Sequence, residues 1–387
     1  MMPQARSRTG ARKRKGGQAP GKAAVRSERM AQRPQDAPRP LKSEPGGWKA
    51  SVHRYVQWLN QAEIDRFDPD ADGIVTDLDH MSRYRRRLSR LREQELRRGV
   101  LPLRSETSAE LLRMSASESM AEATAMIELK IKRTVQQLGR TYTEDRRERE
   151  RLWLAQDGGS YRIIRIEPLV MERRPKYSMS DSFVSQLTAG QLSEDEEKPK
   201  SMPYINYEVM PQFKQGRTGI RYRRDLAAAY ADQWWNEPNP AYETFEVNCT
   251  NYVSQCLFAG HAPMNYTGKR EAGWWYRERN AGRENWSYSW AVAGALQLFL
   301  SGVRQSGLRA TVVDSADQLE LGDVIIYDWS GDNRYQHSTI VTAFDAAGMP
   351  LVNANTVPSR HRYWDYRDSY AWTEQTKYRF FHISDEL

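Results

Sequence analysis

Apolar positions recur at helical spacing over residues 51–67, at Val52, Tyr55, Val56, Leu59, Ile64 and Phe67. The Arg-dense stretch Leu78 to Arg98 reads as a second helix. Residues 107–155 hold no proline and many Ala, Glu, Leu, Met and Arg, which predicts one long helix or a pair. Gly158 and Gly159 end that pattern. The run from Tyr161 to Met171 then reads as a strand interrupted at Pro168. Further on, helices are predicted over 221–235, from Asn248 to a stop at Gly260, and near 291–303. Strands follow at 323–327, 338–344 and 351–353. Helices followed by an antiparallel-looking sheet predict an α+β fold.

Polar and biased segments divide the 387 residues. Residues 1–47 are rich in Arg, Lys, Gln, Gly and Pro. They have no aromatic residue and almost no branched aliphatics, so a disordered basic tail is expected. Residues 48–177 form the mainly helical region. Residues 178–202 are rich in Ser, Glu and Asp and read as an acidic linker. Residues 203–387 hold most of the tryptophans, both cysteines and four of the six histidines, and form the expected compact C-terminal domain. No repeat is visible.

Charge sharpens this division. The chain carries 58 basic and 50 acidic side chains, of which residues 1–50 hold 13 and 3, leaving 45 and 47 elsewhere. The basic balance therefore belongs to the tail. It is either a solubilising extension or an arm for an anionic polymer. No apolar run approaches the ~18 residues of a membrane span. No apolar leader segment opens the sequence, so a cytoplasmic location, or export by a non-classical route, is expected. Two cysteines exclude a disulfide scaffold and a four-cysteine zinc site.

The chemistry concentrates in Asn248 to Gly260, NCTNYVSQCLFAG. A helix starting near Cys249 puts that thiol in the first turn, where unpaired N–H groups and the positive end of the helix favour a thiolate. Cys256 lies two turns on, ~10 Å away along the helix, too far for a disulfide and on the apolar stripe. A thiolate nucleophile needs a base. Among His261, His337, His361 and His382, the sequence favours His337, which opens a strand after the polar turn 330–333.

Several motifs then occur in order: Trp234-Trp235, Asn239-Pro240, CTNYVSQC, GWWY, WSYSW, GDVIIYD and QHSTIV. Over about residues 205–385 this series resembles the amidase domain family of bacterial proteins, related to the CHAP- and NlpC-type papain-like peptidases. The resemblance implies a papain-like cysteine hydrolase with Cys249 as nucleophile and His337 as base. It puts the third, orienting residue at Asn355, where the family more often has His before Thr. Asn248 stands where the family often has Asp. The implied activity is hydrolysis of a peptide or peptidoglycan-type amide, with no cofactor needed for catalysis. The alternative is a catalytically weak papain-like binding or scaffold module with a calcium loop and a basic polyanion-binding arm.

A separate signal is DPDADGIVTDLD at 68–79, which follows the EF-hand pattern. Asp68, Asp70, Asp72, Thr76 and Asp79 would serve as Ca²⁺ ligands around the turn at Gly73. Asp79 replaces the usual bidentate Glu, so loose coordination and weak affinity are expected. The plainer reading is an acidic helix connector.

Overall fold

The structure, a computed structural model, describes residues 39–40, 47–65, 73–116, 122–173, 219–277 and 285–387. These all fall in one compact unit, Pro38–Leu387. The tail 1–47, apart from 39–40 and 47, the linker 178–202 and the three acidic positions Asp68, Asp70 and Asp72 lie outside the described residues.

Two helices come first, α1 (Trp48–Ala62) and α2 (Leu78–Arg98). Asp77 caps α2 by accepting from the His80 N–H at 2.9 Å, and Gly99 closes it in the left-handed conformation at φ 65°. The helix expected over 107–155 is not formed. Its place is taken by β2 (Val100–Ala116), β3 (Glu122–Gln137) and β4 (Arg140–Asp157), and β5 (Ser160–Pro168) follows. Alternation explains the difference. On β3 every second residue, from Ala123 through Ile127 and Ile131 to Val135, is buried. The inward positions also include Arg133, Arg146, Glu148 and Glu150. Helix-forming residue types thus occupy both faces of real strands.

The later elements are α3 (Arg224–Trp234), α4 (Cys249–Ala259), the single turn α5 (Tyr288–Ala291) and α6 (Ala293–Ser301). The strands β6 (Ala310–Val313), β7 (Val324–Asp328), β8 (His337–Phe344), β9 (Pro350–Ala354), β10 (Ser359–Tyr363) and β11 (Lys377–Ile383) complete the chain. The C-terminal residues therefore combine helices with an antiparallel sheet, as expected. A two-residue strand, β1 (Arg39–Pro40), pairs with β2.

One sheet runs through both halves in the order β1-β2-β3-β4-β10-β9-β8-β7-β11-β6, with β5 also on β4. The join is β10 against β4, Ser359 opposite Arg146 and Arg360 opposite Asp145. Helices α1 and α2 cover one face at β2–β5, through Tyr55, Leu59, Tyr84 and Leu88 on Ile127, Leu129, Leu152 and Ile163. Helices α3, α4 and α6 cover a face of β7 and β8 at Val324, Ile326 and Ile340. Tyr327, Trp329, Val341, Val352 and Tyr366 pack on the opposite face. Buried ion pairs tie the join: Arg146 reaches Glu148 and Asp368 at 3.0 Å, and Arg362 reaches Asp368 at 3.0 Å and Glu172 at 3.3 Å. Paired charges are tolerated in such an interior because each partner offsets the other's desolvation. Among the described residues no helix is long and apolar enough to cross a membrane.

Candidate active site

Helix α4 begins on Cys249 itself, with Asn248 as the capping residue. Asn248 does not cap with its own side chain. The N–H groups of Asn248 and Cys249 both donate to the Thr356 hydroxyl oxygen, at 2.7 and 2.8 Å. Asn248 Nδ2 donates to Asn355 Oδ1 at 2.7 Å, and Asn355 Nδ2 donates to the carbonyls of Trp234 and Trp235, each at 2.9 Å. The far side of the cap is held by Asn251 Nδ2, which donates to Asn248 Oδ1 at 2.9 Å, while Trp290 Nε1 donates to Asn251 Oδ1 at 2.8 Å. The exposed ends of two helices, α3 and α4, are thus joined through asparagine side chains whose hydrogen-bonding groups are used.

The Cys249 side chain is buried, and burial pushes its thiol above the ordinary range. Donors oppose that push: the Ser338 N–H, the hydroxyls of Thr250 and Thr356, and the Thr250 N–H. Thr250 Oγ1 lies 3.8 Å from the sulfur and shares a 3.1 Å hydrogen bond with Ser338 Oγ. Cys256 has a smaller set, the Tyr252 hydroxyl and a backbone N–H. It is fully buried against Tyr252, Val253 and Leu257, and burial holds its thiol well above the usual value. Both cysteines are free.

The structure does not bring the His337 ring to the thiol. Neighbouring residues of a strand point to opposite faces. Ser338 and Ile340 face α4, so His337 faces the other way. Its ring lies 5.4, 5.7 and 5.3 Å from the rings of Tyr327, Trp329 and Tyr366. Neither ring nitrogen has a hydrogen-bond partner among the described residues. Burial, assisted by the Arg362 charge, pushes its pKa down to about 3. Asn355 stands in the Cys249 neighbourhood, but its amide contacts Asn248 and the α3 carbonyls rather than an imidazole.

Other histidines are engaged elsewhere. His361 sits at φ 53° in a strand irregularity, with Nε2 3.2 Å from Asp232 Oδ1; Asn353 Nδ2 donates to the same oxygen at 2.8 Å. His382 Nδ1 meets the buried Asp323 at 2.8 Å, and Asp323 also binds Arg224. The residues that sequence reasoning missed are Thr250, Ser338 and Thr356. Each is a small hydroxyl residue directly after a chosen site residue: Thr250 follows Cys249, Ser338 follows His337, and Thr356 follows Asn355. That adjacency was the available signal.

Of the expected metal ligands, Thr76 and Asp79 are described. The Thr76 N–H and hydroxyl donate to the Ile163 carbonyl at 2.9 and 3.4 Å. Asp79 lies exposed in the first turn of α2. Val75 forms a parallel bridge with Ile163, and Gly73 has φ 78°, the geometry a sharp turn needs. Among the described residues no group of three or more His, Cys, Asp or Glu is placed to hold a metal.

Two curated Bacillus subtilis proteins are each similar to part of the chain. The uncharacterized protein YhbB is 51% identical over 167 residues, 43% of this chain and 52% of that protein. The uncharacterized protein YjcM is 28% identical over 158 residues, 38% of this chain and 34% of that protein. The chain thus spans about half the length of the first and about a third of the second. A solved structure, the intermembrane space region of chloroplast protein ARC6, aligns with 31% of this chain and 95% of its own at 12% identity and a TM-score of 0.22, too low to bear on the fold. Residues 221–381 match the family described as "Putative amidase domain", a similarity at the level of an amidase-type hydrolase.

Proposed function

We propose that the region matching the amidase family is a papain-like cysteine hydrolase whose Cys249 thiolate attacks the carbonyl of a peptide or peptidoglycan-type amide. The observation that carries this reading is the sulfur at the first residue of α4, surrounded by donors from Ser338, Thr250 and Thr356. Donors of that kind stabilise a thiolate, and Cys256 in the apolar core has fewer of them, the Tyr252 hydroxyl and a backbone N–H.

In the reaction, the Cys249 proton passes to the base and a carbon–sulfur bond forms as the carbonyl becomes an oxyanion. The positive end of α4 stabilises that charge. Collapse breaks the carbon–nitrogen bond, the protonated base supplies the leaving amine with its proton, and water hydrolyses the thioester. The resemblance assigns the base to His337 and the third position to Asn355. In this reading the imidazole turns from the Tyr327–Trp329–Tyr366 cage to the α4 face before it acts. The distance along the chain is short, because His337 is the first residue of β8 and the next residue already touches the thiol. Asn355 contributes by holding Asn248 and the start of α4.

The burial of His337 on the face away from Cys249 favours a second reading, a module that binds such polymers without cleaving them. Hydrolysis of peptidoglycan fragments, followed with iodoacetamide alkylation of Cys249, decides between the two. The enzyme reading expects Cys249→Ala to lose both signals and His337→Gln to lose hydrolysis while the thiol still alkylates at high pH. Hydrolysis undiminished in Cys249→Ala overturns it; fragment binding with no cleavage by the unmutated chain supports the binding module.

A further inference from the structure

The turn between β9 and β10 is held from three sides. Asn355 binds Asn248 and the α3 carbonyls, Val357 takes the left-handed conformation at φ 48°, and the Pro358 carbonyl accepts from the Arg147 N–H of β4 at 2.8 Å. Thr356 stands in this turn, buried, with its hydroxyl oxygen under the start of α4. A hydroxyl has two acceptor positions and one proton to donate. The N–H groups of Asn248 and Cys249 fill both acceptor positions, so the proton must find another acceptor or stay buried without one, which is costly. The Cys249 N–H that binds the oxygen belongs to the same residue as the sulfur, and the Thr356 hydroxyl is among the donors that draw the thiol's pKa down.

We propose that Thr356 is a positioning residue for Cys249: its hydroxyl accepts the N–H groups of Asn248 and Cys249 at the start of α4 and directs its own proton to the sulfur. The inference rests on the reading of Cys249 as the reactive group. It adds that the β9–β10 turn, and through Pro358 the strand β4 of the N-terminal half, sets how readily that group ionises. A sulfur that becomes charged accepts the Thr356 hydrogen bond more strongly than a neutral thiol does, so the contact favours the thiolate. The titratable or charged groups on the packed elements are Arg224, Asp225, Tyr230 and Asp232 on α3, Tyr252 and Cys256 on α4, and His337 on β8, and the His337 ring faces away. The influences on the thiol are burial and uncharged donors.

The test is the pH dependence of iodoacetamide alkylation at Cys249 in the full chain, read on its own peptide by mass spectrometry. Losing one such donor in Thr356→Val should move the midpoint up by about one pH unit and slow alkylation at neutral pH about tenfold. Thr356→Ser, which keeps the hydroxyl, should restore the original midpoint. A purely structural cap would lower thermal stability in Thr356→Val and leave the midpoint in place; that result overturns the proposal. Where the valine variant does not fold, Thr356→Ala is read in the same way. A serine variant whose midpoint moves as far as that of a hydroxyl-free variant also overturns it. Alkylation needs no amide turnover, so an absence of hydrolysis counts against the enzyme reading alone.

Discussion

Replacing Glu150 by Gln should stabilise the protein above neutral pH and do little below pH 5. Glu150 lies on the inward face of β4, fully buried, and its Oε2 accepts from the Tyr55 hydroxyl at 2.9 Å. Burial pushes its carboxyl from 4.5 up to about 7; Glu148 adds to the rise, while the Tyr55 hydrogen bond and Arg87 oppose it. Between these two values the folded state holds a proton that the unfolded state has released. Stability therefore falls as pH rises through that window and stays lower above it. At 1.36 kcal/mol per unit, the charged form costs about 3 kcal/mol at pH 8. Glutamine keeps an acceptor for Tyr55 and removes the charge. Urea unfolding of the variant and the parent at pH 5 and pH 8 gives the comparison. His80 and His337, which burial pushes down to about 4 and about 3, destabilise both proteins equally in acid and cancel in the difference. An equal effect of the substitution at both pH values would refute the reasoning, because it would show that Glu150 does not titrate in this range.

Cys256→Ser should cost about 1–3 kcal/mol, since it places a hydroxyl in an apolar core, and should leave Cys249 alkylation intact; a loss of alkylation matching the loss of stability would remove the distinction between the two thiols. Asn355→Ala should slow hydrolysis and lower the melting temperature because it frees the Asn248 amide and two α3 carbonyls, whereas His361→Ala should leave the rate near that of the parent. The reverse pattern would move the third functional position to the His361–Asp232 pair. Calcium at millimolar concentration should raise the melting temperature of the full chain by mass action, with affinity near 10⁻⁴ to about 10⁻³ M, and Asp70→Ala should remove the rise. An equal rise in that variant would leave the loop as an acidic connector.

Much of the fold was legible where one face of an element is apolar. The stripe Val52, Tyr55, Val56 and Leu59 located α1, and the Arg-rich run at 78–98 ends at Gly99 as a helix should. The region 107–155 was misread for a physical reason. Inward positions on β3 and β4 carry Arg133, Arg146 and Glu150, which are buried only because α1, α2 and the 365–370 loop supply their partners. Partners that distant in sequence leave no local trace. Composition then suggested helix, and only the period of two at Ala123, Ala125, Ile127 and Leu129 argued otherwise.

The candidate site divides along the same line. Cys249 could be placed because a helix start has a local signature and its consequence for a thiol follows from the N–H groups it exposes. The direction of His337 could not. In QHSTIV a strand turns either His337, Thr339 and Val341 or Ser338 and Ile340 toward α4, and alternating polarity normally decides which. Here β8 is buried on both faces from His337 to Thr342, with Ile340 among the α4 contacts and Val341 among those of Tyr327 and Trp329. Both sets therefore have apolar members, and the usual discriminating signal disappears. The side presented to Cys249 is instead Ser338, which joins Thr250 and Thr356 in a shell of donors. That shell accommodates a thiolate but cannot take its proton, since every member is a poor base. Proton removal is thus the one chemical requirement that the resting arrangement leaves open, and in the enzyme reading it is met only when the His337 ring comes to the α4 face.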